Sequence, residues 1–481
     1  MIILNDSKNT IHLEDVDEYI SPSDQPEEIS PDRLKKSRSL RNCILNGTIK
    51  VVEFDPKERI ESSLMYLLNK MASAKSETVV TTEPESETEP DVVEATLKEV
   101  SDDIEVRIHG LFYDASGYAK VNRNLALCLH KSGIKVKVDP KKGQNQLNED
   151  ELRNLVVLER TPISKRNHIV IDSIIPSFSE FSSAKYKILY TTIESYTVQD
   201  QFLAACQNYE EIWLTSEWSA SILRKYLPDR PIYAICTGAD PNIYTEEGDR
   251  FDFKPNIKSF VFLSVFAWNY RKGPDVLCKA YFDEFSQDDD VSLLIMSRYQ
   301  SGRTRHHREK IRLDIDKYME GFPNKDMPHI VRFNQMLPEN DMPKLYRAAD
   351  AFILTTRGEG GNLPALEASL CGLPLIMTNC SGQQGYLRPD NSYLIDVDRI
   401  APVQPGQMHL HYWDGHEFPQ LTSQGVHDQV KQHMRHVYEN YDEAKKRNRK
   451  MQQLIHQDFT WTHTANAAIE RLKEINKKLK G

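Results

Sequence analysis

Two carboxylates eight positions apart, Glu359 and Glu367, bracket a stretch that could hold an anion: Thr356-Arg357-Gly358-Glu359-Gly360-Gly361-Asn362-Leu363-Pro364-Ala365-Leu366-Glu367. Its glycines let the backbone come close to a ligand. Pro364 stands where a helix takes its first residues, and Gly372 stands just past its end. Backbone amides from Asn362 to Ala365 would then form the positive end of a short helix. Upstream, Arg271-Lys272-Gly273 offers a planar fork and a point charge, both suited to phosphate oxygens. The chemistry within reach of such groups is departure of a phosphorylated leaving group, whose growing charge fixed cations and dipoles stabilise.

These residues need elements to position them. Ala351 to Leu354 and Leu373 to Met377 are apolar runs of strand length on either side of the glycine loop. From Ile104 the chain repeats one grammar. Glu105 to Gly110 reads as a strand, and Ser116-Gly117-Tyr118 opens a helix through Val121, Leu125 and Leu129. Lys131-Ser132-Gly133 stops that helix, and Ile134 to Val138 is the next strand. Strand, glycine loop, helix, strand is the pattern of a parallel sheet. His168 to Asp172, Lys187 to Thr191, Glu211 to Thr215 and Pro231 to Cys236 supply more strands, with Ser216 as N-cap of a helix over Ala220 to Tyr226. Thr237-Gly238-Ala239-Asp240-Pro241 closes this domain. A second begins near Ser259 with strands at Phe260 to Val265, Val291 to Met296 and His329 to Phe333. No antiparallel pattern is visible, so the expectation is an α/β chain with two Rossmann-like domains facing a cleft.

The 481 residues allow two to four domains. No apolar run approaches the ~18 residues of a membrane span, and the N-terminus lacks a basic signal-peptide start. Seven cysteines without a CxxC pair argue for reduced thiols in a cytoplasm-like compartment and against a zinc site. The net charge of −10 is concentrated: residues 76–103 hold ten acidic side chains and one lysine. Residues 74–103 therefore read as a flexible acidic linker. Residues 1–73 read as a small interaction module, with a strand at Val51 to Phe54, an amphipathic helix from Ile60 to Met71 and a basic run from Lys35 to Arg41. Docking to a protein partner or self-association is its natural role.

At the glycine stretch the chain resembles a known family. Glu359 and Glu367 have the E-x7-E spacing of retaining glycosyltransferases with the GT-B architecture, and the surrounding residues resemble family 4. Ser116-Gly117-Tyr118, Trp213 to Trp218, Gly238-Ala239-Asp240, Arg271-Lys272-Gly273 and Phe459-Thr460-Trp461 resemble further family segments, in the family's order. The resemblance covers about residues 104 to 478. It implies an acceptor domain at 104–250, a nucleotide-sugar donor domain at 251–461 and a C-terminal helix at 462–481 that packs back on the first lobe. It implies catalytic roles for Glu359, Lys272 and Arg271, with Glu359 on a hydroxyl of the transferred sugar and Glu367 on the ribose diol. Gly117, Gly361, Asn362, Leu363 and Arg357 join the donor site, and His109, Tyr118 and Glu194 the acceptor side. Transfer by a front-face route, from a donor such as a UDP- or GDP-sugar, needs no metal or other cofactor. The acceptor stays open among glycan, protein, lipid and small molecule.

Two other readings compete. One is a GT-B-shaped binding or structural subunit that has lost catalysis. The other is a transferase modifying nucleic acid, as in phages, for which the basic run Arg303 to Arg308 would be the contact. A near-neutral surface and missing aromatic interleaving disfavour nucleic acid. Asp288-Asp289-Asp290 reads as a solvated turn rather than a metal motif.

Overall fold

The computed structural model describes residues 95–480 except 102, 142–146, 165–167, 176–183, 254–256, 300–304, 323–325, 335–336 and 408–412, together with short strands in the first 53 residues. The chain divides into two compact units, Met1–Pro90 and Asp91–Gly481. In the first, β1 (Ile2–Leu4), β4 (Glu27–Glu28) and β5 (Lys50–Glu53) form an antiparallel sheet, and β2 (Ile11–Leu13) pairs with β3 (Glu18–Ile20). Strand β5 covers most of the run read as a strand from Val51. The expected helix at Ile60 to Met71, the basic run at Lys35 and most of the acidic linker lie outside the described residues.

In the second unit the chain runs β6 (Glu105–Gly110), α1 (Gly117–Lys131), β7 (Lys135–Pro140), α2 (Glu149–Arg160), β8 (Ile169–Ser173), β9 (Tyr186–Thr191), α3 (Asp200–Cys206), β10 (Glu211–Leu214), α4 (Glu217–Arg224) and β11 (Ile232–Ala234). The six strands form one parallel sheet in the order β11-β10-β9-β8-β6-β7. Caps set its helices where the sequence places them. Ser116 accepts from the Ala119 amide at the start of α1, and Ser216 from the Ser219 amide at the start of α4.

A second domain follows: β12 (Phe260–Trp268), α5 (Pro274–Glu284), β13 (Val291–Tyr299), α6 (Arg305–Met319), β14 (His329–Phe333), α7 (Met342–Arg347), β15 (Ala351–Leu354), α8 (Leu363–Leu370), β16 (Leu375–Thr378) and β17 (Tyr393–Ile395). Its parallel order is β14-β13-β12-β15-β16-β17. Strand order reverses between β12 and β15, and such a reversal opens a crevice at the carboxyl ends of the strands. β12 is buried along nearly its whole length, as a central parallel strand with covered faces must be.

One element departs from the expectation of purely parallel sheets. β18 (Arg399–Pro402) and β19 (Glu417–Gln420) pair antiparallel outside the main sheet. Both are short and contain proline, so they carry little strand signal. The hairpin reaches the first domain, where the Tyr196 amide donates to Glu417 O at 2.9 Å.

Helices α9 (Gln424–Glu439) and α10 (Tyr441–Asp458) cover the second domain, and α11 (Trp461–Lys480) crosses back to the first. Trp461, Ala468, Ile469, Leu472 and Ile475 of α11 are buried in the same cluster as Val121, Leu125 and Leu129 of α1. Arg471 of α11 donates to buried Glu211 on β10 at 2.8 Å. The segment before β6, placed by sequence at the end of the linker, lies on this assembly. Val100 is buried in that cluster, and the Lys98 amide donates to Asn466 Oδ1 at 2.9 Å.

The chain crosses between domains twice at one place. Ala239 and Thr460 form a parallel bridge, and the Ala239 amide donates to Phe459 O at 2.9 Å. A Cβ at Gly238 would stand 2.3 Å from the Thr460 carbonyl carbon, so only glycine permits this approach.

Candidate active site

The loops after β12 and β15 meet at the strand-order reversal. After β12, Asn269 caps a one-turn helix, Tyr270–Lys272, and Gly273 follows with φ of 69°. A Cβ at Gly273 would lie 1.8 Å from Thr355 O, so this glycine is required both by its left-handed backbone and by the close loop. The Arg357 amide donates to Arg271 O at 2.6 Å and ties the two loops together.

Glu359 is held from several directions. Lys272 Nζ lies 2.6 and 2.7 Å from its two oxygens, and the Thr356 hydroxyl donates at 2.9 Å. Its own amide donates to Ser381 Oγ at 2.8 Å. Burial raises its pKa, but Lys272 and Arg271 outweigh burial and hold the carboxyl below the usual range. Burial, together with Arg271, pushes the Lys272 ammonium below the ordinary lysine range against the pull of Glu359 and Glu194.

Arg271 faces the first domain. Its Nη1 donates to Gly358 O and lies 3.1 Å from Glu194 Oε1. Glu194 of the first domain thus pairs with Arg271 of the second. The glycine loop lies against the same edge. A Cβ at Gly360 would stand 1.7 Å from Thr192 Oγ1, and one at Gly361 2.4 Å from Thr237 Oγ1. Asn362 adopts φ of 59° just before α8, and its side chain donates to Gln383 Oε1 at 2.8 Å. Leu363 turns its side chain into the core shared by α1 and α11.

Glu367, one turn into α8, is also buried. It accepts from Tyr346 OH at 2.9 Å and from Lys120 Nζ, on α1 of the first domain, at 2.5 Å. Gly117 is exposed at the start of the same helix, and Tyr118 is half-buried beside it. His109 ends β6, and its Nδ1 lies 2.8 Å from Asp172 Oδ1 at the neighbouring end of β8. That pair sits where strand order reverses in the first sheet.

Arg357 is a correction. The family resemblance implies a donor contact, but its side chain is wholly buried. It forms a two-pronged pair with Asp275 at 2.9 and 2.8 Å, donates to Tyr270 O at 2.8 Å, and stacks 3.8 Å from the Tyr270 ring centroid. Both terminal nitrogens of its fork are taken by protein, so it braces the two loops from behind. Two of the three aspartates from Asp288 to Asp290 also behave as structure. Asp289 pairs with Arg435 at 3.0 Å, and Asp290 accepts from Ser259. The side chains opening the basic run at Arg303 lie outside those described.

Sequence reasoning missed Lys120, Glu339, Thr356 and Ser381. Lys120 had one available signal, its position a turn beyond Ser116-Gly117 in the helix opening on the cleft. Ser381 had none, although its φ of 56° aims its hydroxyl at the Glu359 amide.

Residues 257–402 match the family described as glycosyl transferases group 1. A D-inositol 3-phosphate glycosyltransferase from Catenulispora acidiphila is 24% identical over 184 residues, covering 37% of this chain and 43% of that relative. The chain therefore spans less than half the length of that curated relative. Sucrose-phosphate synthase from Thermosynechococcus elongatus superposes with a TM-score of 0.56 at 14% identity, over 77% of this chain and 99% of its own. Anabaena HepE, solved in complex with UDP and glucose, gives 0.51 at 12% identity, over 77% of this chain and 100% of its own. The chain has the GT-B fold, and its second domain matches the group 1 glycosyltransferase family over residues 257–402.

Proposed function

We propose that the chain is a retaining glycosyltransferase that moves a sugar from a nucleotide diphosphate to an acceptor still to be identified. The observation that carries this reading is the meeting of Arg271, Lys272 and Glu359 at the strand-order reversal of the second domain. Arg271 and Lys272 supply two cations for the diphosphate, one a fork and the other a point charge. The amides at the start of α8 add a partial positive charge to the same loop. Glu359 takes a hydroxyl of the transferred sugar, and Glu367 takes the ribose.

The chemical step breaks the bond between the anomeric carbon and the β-phosphate oxygen. The electron pair leaves with the phosphate, where Arg271 and Lys272 stabilise it. The acceptor hydroxyl forms the new bond on the face the phosphate leaves, and its proton passes to that phosphate. UDP-sugars are the first donors to try, because HepE was solved with UDP and glucose.

Thermal-shift screening against UDP, GDP and ADP should identify one nucleotide that clearly raises the melting temperature. A donor-hydrolysis assay should show turnover that Glu359→Ala abolishes. Absence of both nucleotide binding and turnover in the wild type would overturn the proposal and favour a non-catalytic subunit.

A further inference from the structure

The two domains share a cluster of four charges, of which Arg123 and Glu367 are buried and Lys120 and Glu339 nearly so. Lys120 and Arg123 come from α1 of the first domain, while Glu339 and Glu367 come from the second. Lys120 Nζ lies 2.5 Å from Glu367 Oε1 and 2.9 Å from Glu339 Oε1. Arg123 Nη2 lies 3.3 Å from Glu339 Oε2, and its Nη1 donates to Phe112 O and Asp114 O at 2.8 and 2.9 Å. Tyr244 OH accepts from Lys120 at 2.5 Å. An ammonium has three N–H donors, and the two glutamates and Tyr244 use all three.

Glu367 is engaged at both oxygens, by Lys120 and by Tyr346. A ribose diol would bring two hydroxyl donors to the same carboxylate. The diol is neutral, so it can replace the hydrogen bond of Lys120 but not its charge. Moving the lysine away leaves Glu339 and Glu367 with less compensation in a buried place, which opposes the exchange.

We propose that Lys120 is a donor-affinity residue that acts through Glu367, clasping the two domains and competing with the nucleotide ribose for that carboxylate. This rests on the reading of Glu367 as the ribose-holding residue. Lys120 lies one turn inside α1, so the clasp and the helix N-terminus at Gly117 move as one body. Release of Lys120 therefore leaves Arg123–Glu339 as the remaining charge pair between α1 and the second domain and loosens the helix end.

The test titrates UDP, GDP and ADP calorimetrically into the full chain as wild type, Lys120→Met, Lys120→Arg and Glu367→Gln. Small-angle scattering without nucleotide accompanies it, and circular dichroism checks folding. Lys120→Met should bind the matching nucleotide about threefold tighter or more, because less of the protein is held in the clasped form. It should also show a larger radius of gyration. Lys120→Arg, which keeps the charge, should restore both values towards wild type. Equal or weaker nucleotide binding by a folded Lys120→Met would sink the clasp. Loss of binding in Glu367→Gln alongside that result would keep the transferase reading intact. No nucleotide binding in any form would overturn both.

Discussion

Lys272 Nζ spans the whole carboxylate of Glu359, 2.6 Å from one oxygen and 2.7 Å from the other. The cation assigned to phosphate and the anion assigned to sugar are therefore one paired unit. Arg271 extends it across the cleft to Glu194 at 3.1 Å. On the proposed function, a donor entering here trades an internal ion pair for contacts to its own phosphate and hydroxyl groups.

Removing one partner of this pair should be worse than removing both. Lys272→Met leaves a buried carboxylate short of its main partner, a loss of about 3–5 kcal/mol for a buried pair. The double variant Lys272→Met/Glu359→Gln should recover much of that stability without recovering transfer. Urea unfolding beside a transfer assay reads both, and an additive double variant would contradict the pairing.

The pair also sets an acid limit. Glu359 titrates lower in the folded chain than an unfolded glutamate at about 4.3. The unfolded state takes up the proton first. The stabilisation is complete above that value and disappears as pH falls through the lower folded one. Glu359→Gln should flatten the acid limb of a stability–pH curve below about pH 4.3, where wild type declines. Parallel acid limbs in the two proteins would show that Glu359 does not contribute.

Gly360→Ala places a Cβ on the Thr192 hydroxyl, whereas Gly385→Ala meets nothing within 4 Å. The first should cost about 1–3 kcal/mol as overpacking between the domains and raise the KM for donor. The second should leave that KM unchanged. Thr192→Ala should partly rescue Gly360→Ala, and failure to rescue would assign the effect to the loop alone.

Arg357→Lys keeps the charge but loses the fork on Asp275 and the stack on Tyr270. Chemical denaturation should show a loss of about 2 kcal/mol or more. Nucleotide affinity at low temperature should change by less than about threefold, because the side chain supports the loops without facing the donor. A variant that kept its stability but lost nucleotide binding would return Arg357 to the donor site.

Local signals carried most of the architecture. The N-caps Ser116 and Ser216, Gly133 past the end of α1 and the apolar runs at 351–354 and 373–377 each act within a few residues, so periodicity and cap chemistry expose them. The site was legible where it depended on loop glycines and adjacent charges, as at Arg271-Lys272 and Glu359. It was illegible where a partner lies far along the chain. Arg357 finds Asp275 from 82 positions away, and Lys120 finds Glu367 from 247. No local pattern distinguishes an arginine aimed at a ligand from one whose terminal nitrogens are already taken by protein. Helix α10 escaped notice for another reason. Only Ala444, Asn448, Met451 and Ile455 are buried along it, and the charged residues between them mask that stripe.

The seam at Gly238 and Thr460 has a mechanical consequence. Both covalent passages between the halves lie side by side, joined by the Ala239–Thr460 bridge. Two strings tied at one point let the halves pivot but resist their sliding apart. The spine of a book works this way: the pages farthest from it travel most, while the binding scarcely moves.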